Sequence, residues 1–287
     1  MVNRKRFTFL LMVVPALVLF FTFHTYPAIQ GIFYSFTDYK GYGVWDFVGL
    51  KNYLNVFQDG RALSAYGFTF QFAIVSTVLV NIISLLIAIG LNANIKFRKT
   101  LRATYFLPYI LSVLIVGYIF KFMFTHLLPQ IGDALGIGFL SSNILGNPDL
   151  AWIGIVIVAV WQSTAFNTLL YLAGLSTIDQ QVYEAADIDG AGSWAKFWKI
   201  TFPLVAPFFT INMVVAMKNF LMAFDQIVAL TGGGPGQVTE SISLLIYRGG
   251  FQGGEFAYQS ANAVIYFIVI VAISIIQLRV LERREVK

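Results

Sequence analysis

The sequence predicts an all-α integral membrane protein with about six transmembrane helices. Three observations carry that prediction. Apolar residues make up 58% of the 287 residues and charged residues only 11%, whereas a soluble domain carries roughly 25% charged residues. So few polar groups cannot cover a water-exposed surface, and lipid must be the solvent for most of the chain. Six long apolar stretches follow one another, each long enough to cross a ~30 Å hydrocarbon core as a helix. The Lys and Arg residues sit in short clusters between these stretches, a pattern of membrane topology rather than of one nucleic-acid-binding patch. The net charge of +5 therefore does not argue for nucleic acid.

The first stretch, roughly 9–31, follows Arg4, Lys5 and Arg6 and has the charged start of a signal peptide. No small-residue cleavage site ends it, and it continues into Tyr26-Pro27, so it reads as an uncleaved first helix. The others lie at roughly 67–93, 103–126, 151–175, 204–230 and 258–281. Helices suit them because a helix pairs its own backbone groups, which lipid demands. The intervening loops at 32–66, 127–150 and 231–257 are rich in Gly, Asn, Asp and aromatic residues, as turns near a membrane interface should be. The organisation is an N-terminal helix with an extracytoplasmic segment over 1–66, a transmembrane core over 67–281 that contains the loop 176–203, and a tail at 282–287.

Orientation follows from the basic residues. The N-terminal side carries thirteen of them: Arg4, Lys5, Arg6, Lys96, Arg98, Lys99, Arg102, Lys196, Lys199, Arg279, Arg283, Arg284 and Lys287. The opposite side carries four: Lys40, Lys51, Arg61 and Arg248. Lys121 and Lys218 fall inside spans, where their long stems can snorkel toward an interface. The positive-inside rule makes the N-terminal side cytoplasmic, and an even number of spans places both termini there, in a multi-pass protein of the cell membrane.

Several chemistries are excluded. With no cysteine, the chain has no disulfide, thiolate zinc site or Cys nucleophile. His24 and His126 both sit beside apolar runs without partners for a metal or acid–base site, and read as interfacial residues. No nucleophile–base set is visible, so the chain is not expected to be an enzyme or to hold a cofactor or metal of its own. Thr231 to Gly236 has the glycines of a phosphate loop but no following Lys-Ser/Thr, so nucleotide binding is rejected there. A turn that touches an extracytoplasmic partner and a plain turn both fit it.

The loop 176–203 is the most informative segment. It reads as two short helices joined by a turn. Ser176 with Asp179 fits a capping box, and Asp179 can itself cap the turns that follow. Ala185 and Ala186 are strong helix formers with little bulk. Asp189-Gly190 should break the helix, because Gly tolerates positive φ. A second helix can begin near Ser193 as N-cap and presents Trp194, Phe197 and Trp198 as an aromatic stripe. Pro203 and Pro207 mark the start of the next span. On physical grounds alone, a hairpin that receives another protein and an ordinary interfacial loop are equally supported.

Polar residues within spans are costly and usually face a cavity or a neighbouring helix. They are Tyr109 in the third span, Gln162, Ser163 and Asn167 in the fourth, and Asn212, Lys218, Asn219 and Asp225 in the fifth. Tyr109 and Trp161 offer flat apolar faces, and the amides of Gln162 and Asn219 can donate and accept. Interhelical hydrogen bonding is the competing role for each. Lys218 and Asp225 are seven apart, so one helical face would hold both, paired with each other or with a partner subunit.

The loop contains Glu184-Ala185-Ala186, then Gly190, then Ile200-Thr201-Phe202-Pro203. This spacing resembles the coupling loop of ABC importer permeases, which usually have Leu at the position of Phe202 and often Pro at that of Asp179. Pro15, Tyr26-Pro27, Ser35 to Tyr39, Val48 to Tyr53, Phe106 to Tyr109 and Thr231 to Gly236 extend the resemblance over almost the whole chain, toward the carbohydrate branch related to the larger maltose permease chain. That chain's two extra N-terminal helices and large periplasmic domain have no counterpart here.

The resemblance implies the type I ABC importer permease fold and a translocation subunit for a di- or oligosaccharide. It implies a second homologous permease, two cytoplasmic ATPase subunits that bind ATP and Mg, and an extracytoplasmic sugar-binding protein. It implies ATPase coupling through Tyr183, Glu184, Ala185, Ala186, Asp189 and Gly190. It implies a substrate path along Tyr109, Val113, Gln162, Ser163, Phe166, Asn219 and Ala223. A permease for glycerol phosphate or another polyol is the alternative within the family. An ion-coupled secondary transporter is the alternative outside it, disfavoured because Asp225 is the only intramembrane carboxylate and no repeat is visible. A channel would need a charge ring or filter sequence, and none is seen.

Overall fold

The computed structural model describes residues 2–93 and 96–283, with the backbone alone for residues 2–10. Arg284 and Lys287 of the basic tail lie outside the described residues. The order along the chain is α1 (Val2–Phe20), α2 (Tyr26–Tyr34), α3 (Lys51–Val56), α4 (Gly60–Asn92), α5 (Arg98–Ile110), α6 (Val113–Phe122), α7 (Leu128–Leu135), α8 (Ala151–Leu175), α9 (Gln180–Ile188), α10 (Ser193–Lys196), α11 (Phe202–Leu221), α12 (Asp225–Leu230), α13 (Ile242–Tyr247) and α14 (Phe256–Glu282). Six helical runs are long and apolar enough to span a bilayer: Leu11–Tyr34, Gly60–Asn92, Val113–Leu135, Ala151–Leu175, Ser193–Leu221 and Phe256–Glu282.

Four of these runs match the predicted stretches closely, and two do not. The stretch at 103–126 is not one helix. α5 ends at Ile110, Leu111 and Ser112 are extended (ψ 143° and 131°), and a new helix begins at Val113. The membrane-spanning run therefore extends to Leu135, into what the sequence suggests is a loop at 127–150. In the stretch at 204–230 the helix stops at Leu221 and α12 starts afresh at Asp225. The fifth span gains length at its other end instead, because α10 continues into α11 and the second arm of the 176–203 hairpin is part of the span itself.

Three of the spanning runs contain a wide turn of i→i+5 pattern, Phe21–Thr25, Met123–Leu127 and Phe197–Thr201, and a fourth such turn, Arg248–Gln252, follows α13. Each of the three within spans is followed by a helix with proline in its first two positions, namely Pro27, Pro129 and Pro203. Proline has no N–H and its ring collides with the carbonyl four residues earlier. Those carbonyls belong to Phe23, Thr125 and Lys199, all inside the wide turns. Adding one residue to the turn removes the collision without ending the rod.

The chain forms two compact units, residues 1–63 with 245–268 and residues 64–244 with the remainder of α14. In the first, α2 leads into a loop pinned by Asn52, whose Nδ2 donates to the Ser35 and Thr37 carbonyls at 2.9 and 2.7 Å. The Ser35 and Tyr53 hydroxyls share a 2.6 Å hydrogen bond, and Thr37 bridges Phe47 in antiparallel fashion. The Tyr258 hydroxyl donates to Asp59 at 2.6 Å. Burial acts to raise the Asp59 carboxyl, but the Tyr258 hydroxyl, the amides of Ala62 and Arg61 and the Arg61 charge outweigh it and hold it below its ordinary value.

In the second unit α8 is the central element, most of its residues being buried. At one end Leu172, Tyr171 and Leu175 pack with Ala88, Leu91 and Val205. The Tyr171 hydroxyl donates to Asn81 Oδ1 at 2.6 Å in the interior. Small residues let the helices close up, as lipid-embedded packing favours. A methyl on Gly174 would lie 2.6 Å from the Phe208 ring of α11, and one on Gly117 of α6 would collide with Ala229 of α12. The turn at Thr231–Gly236 closes on itself: Thr239 Oγ1 donates to the Gly234 carbonyl at 2.6 Å and its hydroxyl meets that of Thr231 at 2.8 Å.

Candidate translocation cavity and coupling hairpin

The hairpin is built from local rules. Asp179 is the N-cap of α9 and its carboxylate accepts from the Gln181 amide at 3.0 Å. Ser176 plays no part in that cap; its hydroxyl donates back to the Leu172 carbonyl at 2.7 Å. α9 ends in a glycine-terminated reversal. Gly190 takes φ +74°, the Ala191 amide returns to the Ala186 carbonyl at 2.9 Å and the Gly190 amide to the Asp187 carbonyl at 3.0 Å, the αL closure that glycine makes inexpensive. Gly192, not Ser193, is the N-cap of α10, and Ser193 is already helical.

Two side-chain links hold the arms together. Lys196 forms an ion pair with Asp187, and the Tyr183 and Thr201 hydroxyls share a hydrogen bond of 2.9 Å. The aromatic stripe is continuous: Trp194 meets Trp198, Trp198 meets Phe197 and Phe202, and Phe202 meets Phe209 of α11. Of the residues carrying the motif, Ala186 packs inward and Tyr183 is half-buried, while Glu184, Ala185, Asp189 and Gly190 are exposed. The result is a braced hairpin with an exposed tip, covalently continuous with the fifth span.

The second feature is a cavity of about 450 Å³ walled by α5, α6, α8, α11 and the break before α12. Tyr109, Val113, Gln162, Ser163, Phe166, Asn219 and Ala223 all line it. Both helix breaks put them there. At the first, Gln162 Nε2 donates to the Pro108 and Leu111 carbonyls at 3.3 and 3.1 Å. Those carbonyls have no onward helical N–H to accept from, so one amide caps the end of α5. At the second, the chain bends through Met222–Phe224 and turns Met222, Phe224, Asp225 and Gln226 toward the same space.

Several expectations for individual residues change. Trp161 does not line the cavity; its ring packs on Phe120 at 5.2 Å. Tyr109 does present a flat face, stacked on Phe166 at 5.1 Å and 22°. Asn212 is helix glue: it is fully buried and donates to the Asn167 carbonyl at 3.2 Å. Lys218 and Asp225 both line the cavity, but on separate helices, so their seven-residue spacing does not place them on one face. Among the described residues they form no ion pair with each other. Met222, Phe224 and Gln226 were not legible as cavity residues. The one available signal was Asp225, a carboxylate in an apolar run, which marks where the run stops being a helix.

This architecture and motif coincide with a known family. The chain belongs to the family described as binding-protein-dependent transport system inner membrane component, which it matches over residues 80–287. It is therefore a multi-pass transport permease subunit and not an enzyme. It is 41% identical to the multiple sugar-binding transport system permease protein of Streptococcus mutans, over 96% of this chain and 95% of that protein. It is 35% identical to the trehalose/maltose transport system permease protein of Thermococcus litoralis, over 94% and 92%. It is 32% identical to the sn-glycerol-3-phosphate transport system permease protein of Yersinia pestis, over 96% and 94%. Among solved structures, a bacterial ABC transporter involved in the import of the acidic polysaccharide alginate has the same fold, with a TM-score of 0.86 at 22% identity, over 98% of this chain and 96% of that one.

Proposed function

We propose that the chain is the translocation subunit of an ATP-driven importer of di- or oligosaccharides. The observation that carries this is the braced hairpin around Glu184 and Gly190. Its tip is exposed and its second arm runs unbroken into the fifth span. A push on such a tip moves a membrane helix, whereas a flexible loop would absorb it. The pushing partner is a cytoplasmic ATPase dimer, which binds ATP and Mg; this chain needs no cofactor. Glu184, Ala185 and Asp189 meet the ATPase, Gly190 forms the elbow, and Tyr183 and Ala186 hold the hairpin to its own second arm. The hairpin side and both termini are cytoplasmic, in keeping with the basic clusters on that side.

The substrate path runs through the cavity lined by Tyr109, Val113, Gln162, Ser163, Phe166, Asn219 and Ala223. Its aromatic faces suit sugar C–H surfaces and its amides suit hydroxyls. A second homologous permease completes the path and covers the first span, whose apolar window has no fully buried residue among the described residues. An extracytoplasmic sugar-binding protein delivers the ligand; the alginate transporter of similar fold was solved in complex with a pentasaccharide-bound periplasmic protein. Glycerol phosphate import is the second reading, favoured by the Yersinia relative.

The test is uptake by proteoliposomes holding the assembled transporter. Sugar uptake should require ATP and no ion gradient. Replacing Glu184 or Gly190 should impair uptake and leave sugar binding by the binding protein intact. Normal uptake in both variants would remove the coupling role, and uptake driven by an ion gradient without ATP would replace the reading with secondary transport.

A further inference from the structure

The turn from α4 into α5 gathers positive charge that no carboxylate among the described residues neutralises. Lys96, Arg98, Lys99 and Arg102 fall within seven residues, and no Asp or Glu occurs between Asp59 and Asp133. Two of the four converge on one atom. Arg98 Nε and Arg102 Nη2 both donate to the Leu91 carbonyl near the end of α4, at 2.9 and 3.2 Å. Arg98 Nη2 also donates to Asn92 Oδ1 at 2.8 Å. Among the described residues no carboxylate pairs with either arginine, and Arg102 Nε is buried without a hydrogen-bond partner. Burial, and then the Arg98 charge, work against the Arg102 charge and hold its guanidinium below its ordinary value. α5 starts with no acidic residue in its first turn and no capping side chain, so Arg98 and Lys99 sit at the positive end of a helix dipole. Like charges four apart on a helix oppose each other as well. Between these bases Phe97 and Leu101 are apolar and 79% and 45% exposed.

We propose that Arg98 and Arg102, flanked by Lys96 and Lys99, hold the phosphate of an anionic phospholipid on the membrane face that carries the basic clusters. A guanidinium presents several N–H donors in a rigid fork that matches phosphate oxygens. The Leu91 and Asn92 contacts leave most of those donors unspent. The anion relieves three conflicts at once: guanidinium against guanidinium, base against helix dipole, and partly buried charge without a counter-charge. The occupant must also suit Phe97 and Leu101. A free anion or an acidic protein surface leaves these two side chains in water, whereas a phospholipid covers them with acyl chain below its charged head. Because both arginines are tied to the Leu91 carbonyl, a lipid held by them links the end of α4 to the start of α5. The site is separate from the cavity and does not depend on which solute is imported.

The assembled transporter in mild detergent is the material for the test. The probes are phosphatidylglycerol and phosphatidylcholine with identical acyl chains, and inorganic phosphate. Native mass spectrometry reads the affinity of each lipid, and thermal unfolding reads the stabilisation each probe gives. The wild type should bind phosphatidylglycerol about tenfold more tightly than phosphatidylcholine and be stabilised by it, and inorganic phosphate at the same concentration should not stabilise it. Arg98→Gln combined with Arg102→Gln should weaken phosphatidylglycerol binding about tenfold. Lys199→Gln combined with Arg279→Gln removes the same charge from the same side of the membrane, and should change that affinity by less than about twofold. Equal losses in the two double variants would mean diffuse attraction to a basic surface and overturn the proposal. Equal binding of the two lipids by the wild type overturns it with no variant required to fold. Stabilisation by inorganic phosphate as large as that by phosphatidylglycerol would replace the lipid with a free anion. Unchanged phosphatidylglycerol affinity in the arginine variant, with loss of the ATPase subunits, would assign the pair to an acidic protein surface instead.

Discussion

Gln162 donates both of its amide hydrogens to carbonyls of the chain that precedes it by some fifty residues, at the point where α5 stops. Replacing it with Leu keeps most of the volume and strands the Pro108 and Leu111 carbonyls. Thermal unfolding of the detergent-solubilised transporter should show a loss of ~1–3 kcal/mol, the cost of orphaned buried groups; no measurable loss would mean that the break supports itself. Asp59 offers a separate check by pH. Its lowered carboxyl contributes stability that is present above the ordinary carboxylate range and lost as pH falls through the folded-state value. The stability gap between wild type and Asp59→Asn should therefore be open near neutral pH and close only as the pH falls below the ordinary carboxylate range. A gap that does not change with pH would show that the Tyr258 link does not depend on the charge.

At the scale of elements, the hairpin and the wide turns have different origins. The hairpin is local chemistry. An Asp cap, two alanines, an Asp-Gly stop and an aromatic arm lie in one stretch of sequence, and its outline was legible there. Only its fine points moved, Gly192 taking the cap expected of Ser193, and Ser176 bonding backward. Gly190→Val should strain the elbow, since a β-branched residue at φ +74° costs on the order of 1–3 kcal/mol. ATPase activity stimulated by the binding protein should drop further than assembly of the complex does. Equal loss of both would mark a folding defect alone. The wide turns were not legible, because proline reads from sequence as a helix breaker, while in a membrane the rod continues by enlarging one turn. Pro203→Ala should restore a regular turn at Phe197–Thr201, rotate α10 relative to α11, and weaken coupling without loss of assembly.

For the molecule as a whole, composition reveals the solvent and the count of spans, because hydropathy sums over twenty residues and tolerates local error. The ends of α8 agree with the apolar stretch at 151–175 for this reason. The breaks at Leu111–Ser112 and Met222–Phe224 leave far weaker traces, a lone Ser112 at the first and Asp225 just beyond the second. What holds the first is an amide on another helix. The lining of the cavity depends on those breaks. Polarity within the spans and family resemblance together pointed to ten of its thirteen residues, and neither reached Met222, Phe224 or Gln226.

The central claim is that the Glu184–Gly190 hairpin faces the cell interior and is covered by an ATPase. The chain has no cysteine, so Ala185→Cys introduces a single thiol at the exposed tip. A membrane-impermeant maleimide should label it in inside-out vesicles and not in right-side-out ones, and assembly with the ATPase subunits should protect it. Labelling from the outer face, or labelling that is indifferent to the ATPase, would contradict the account.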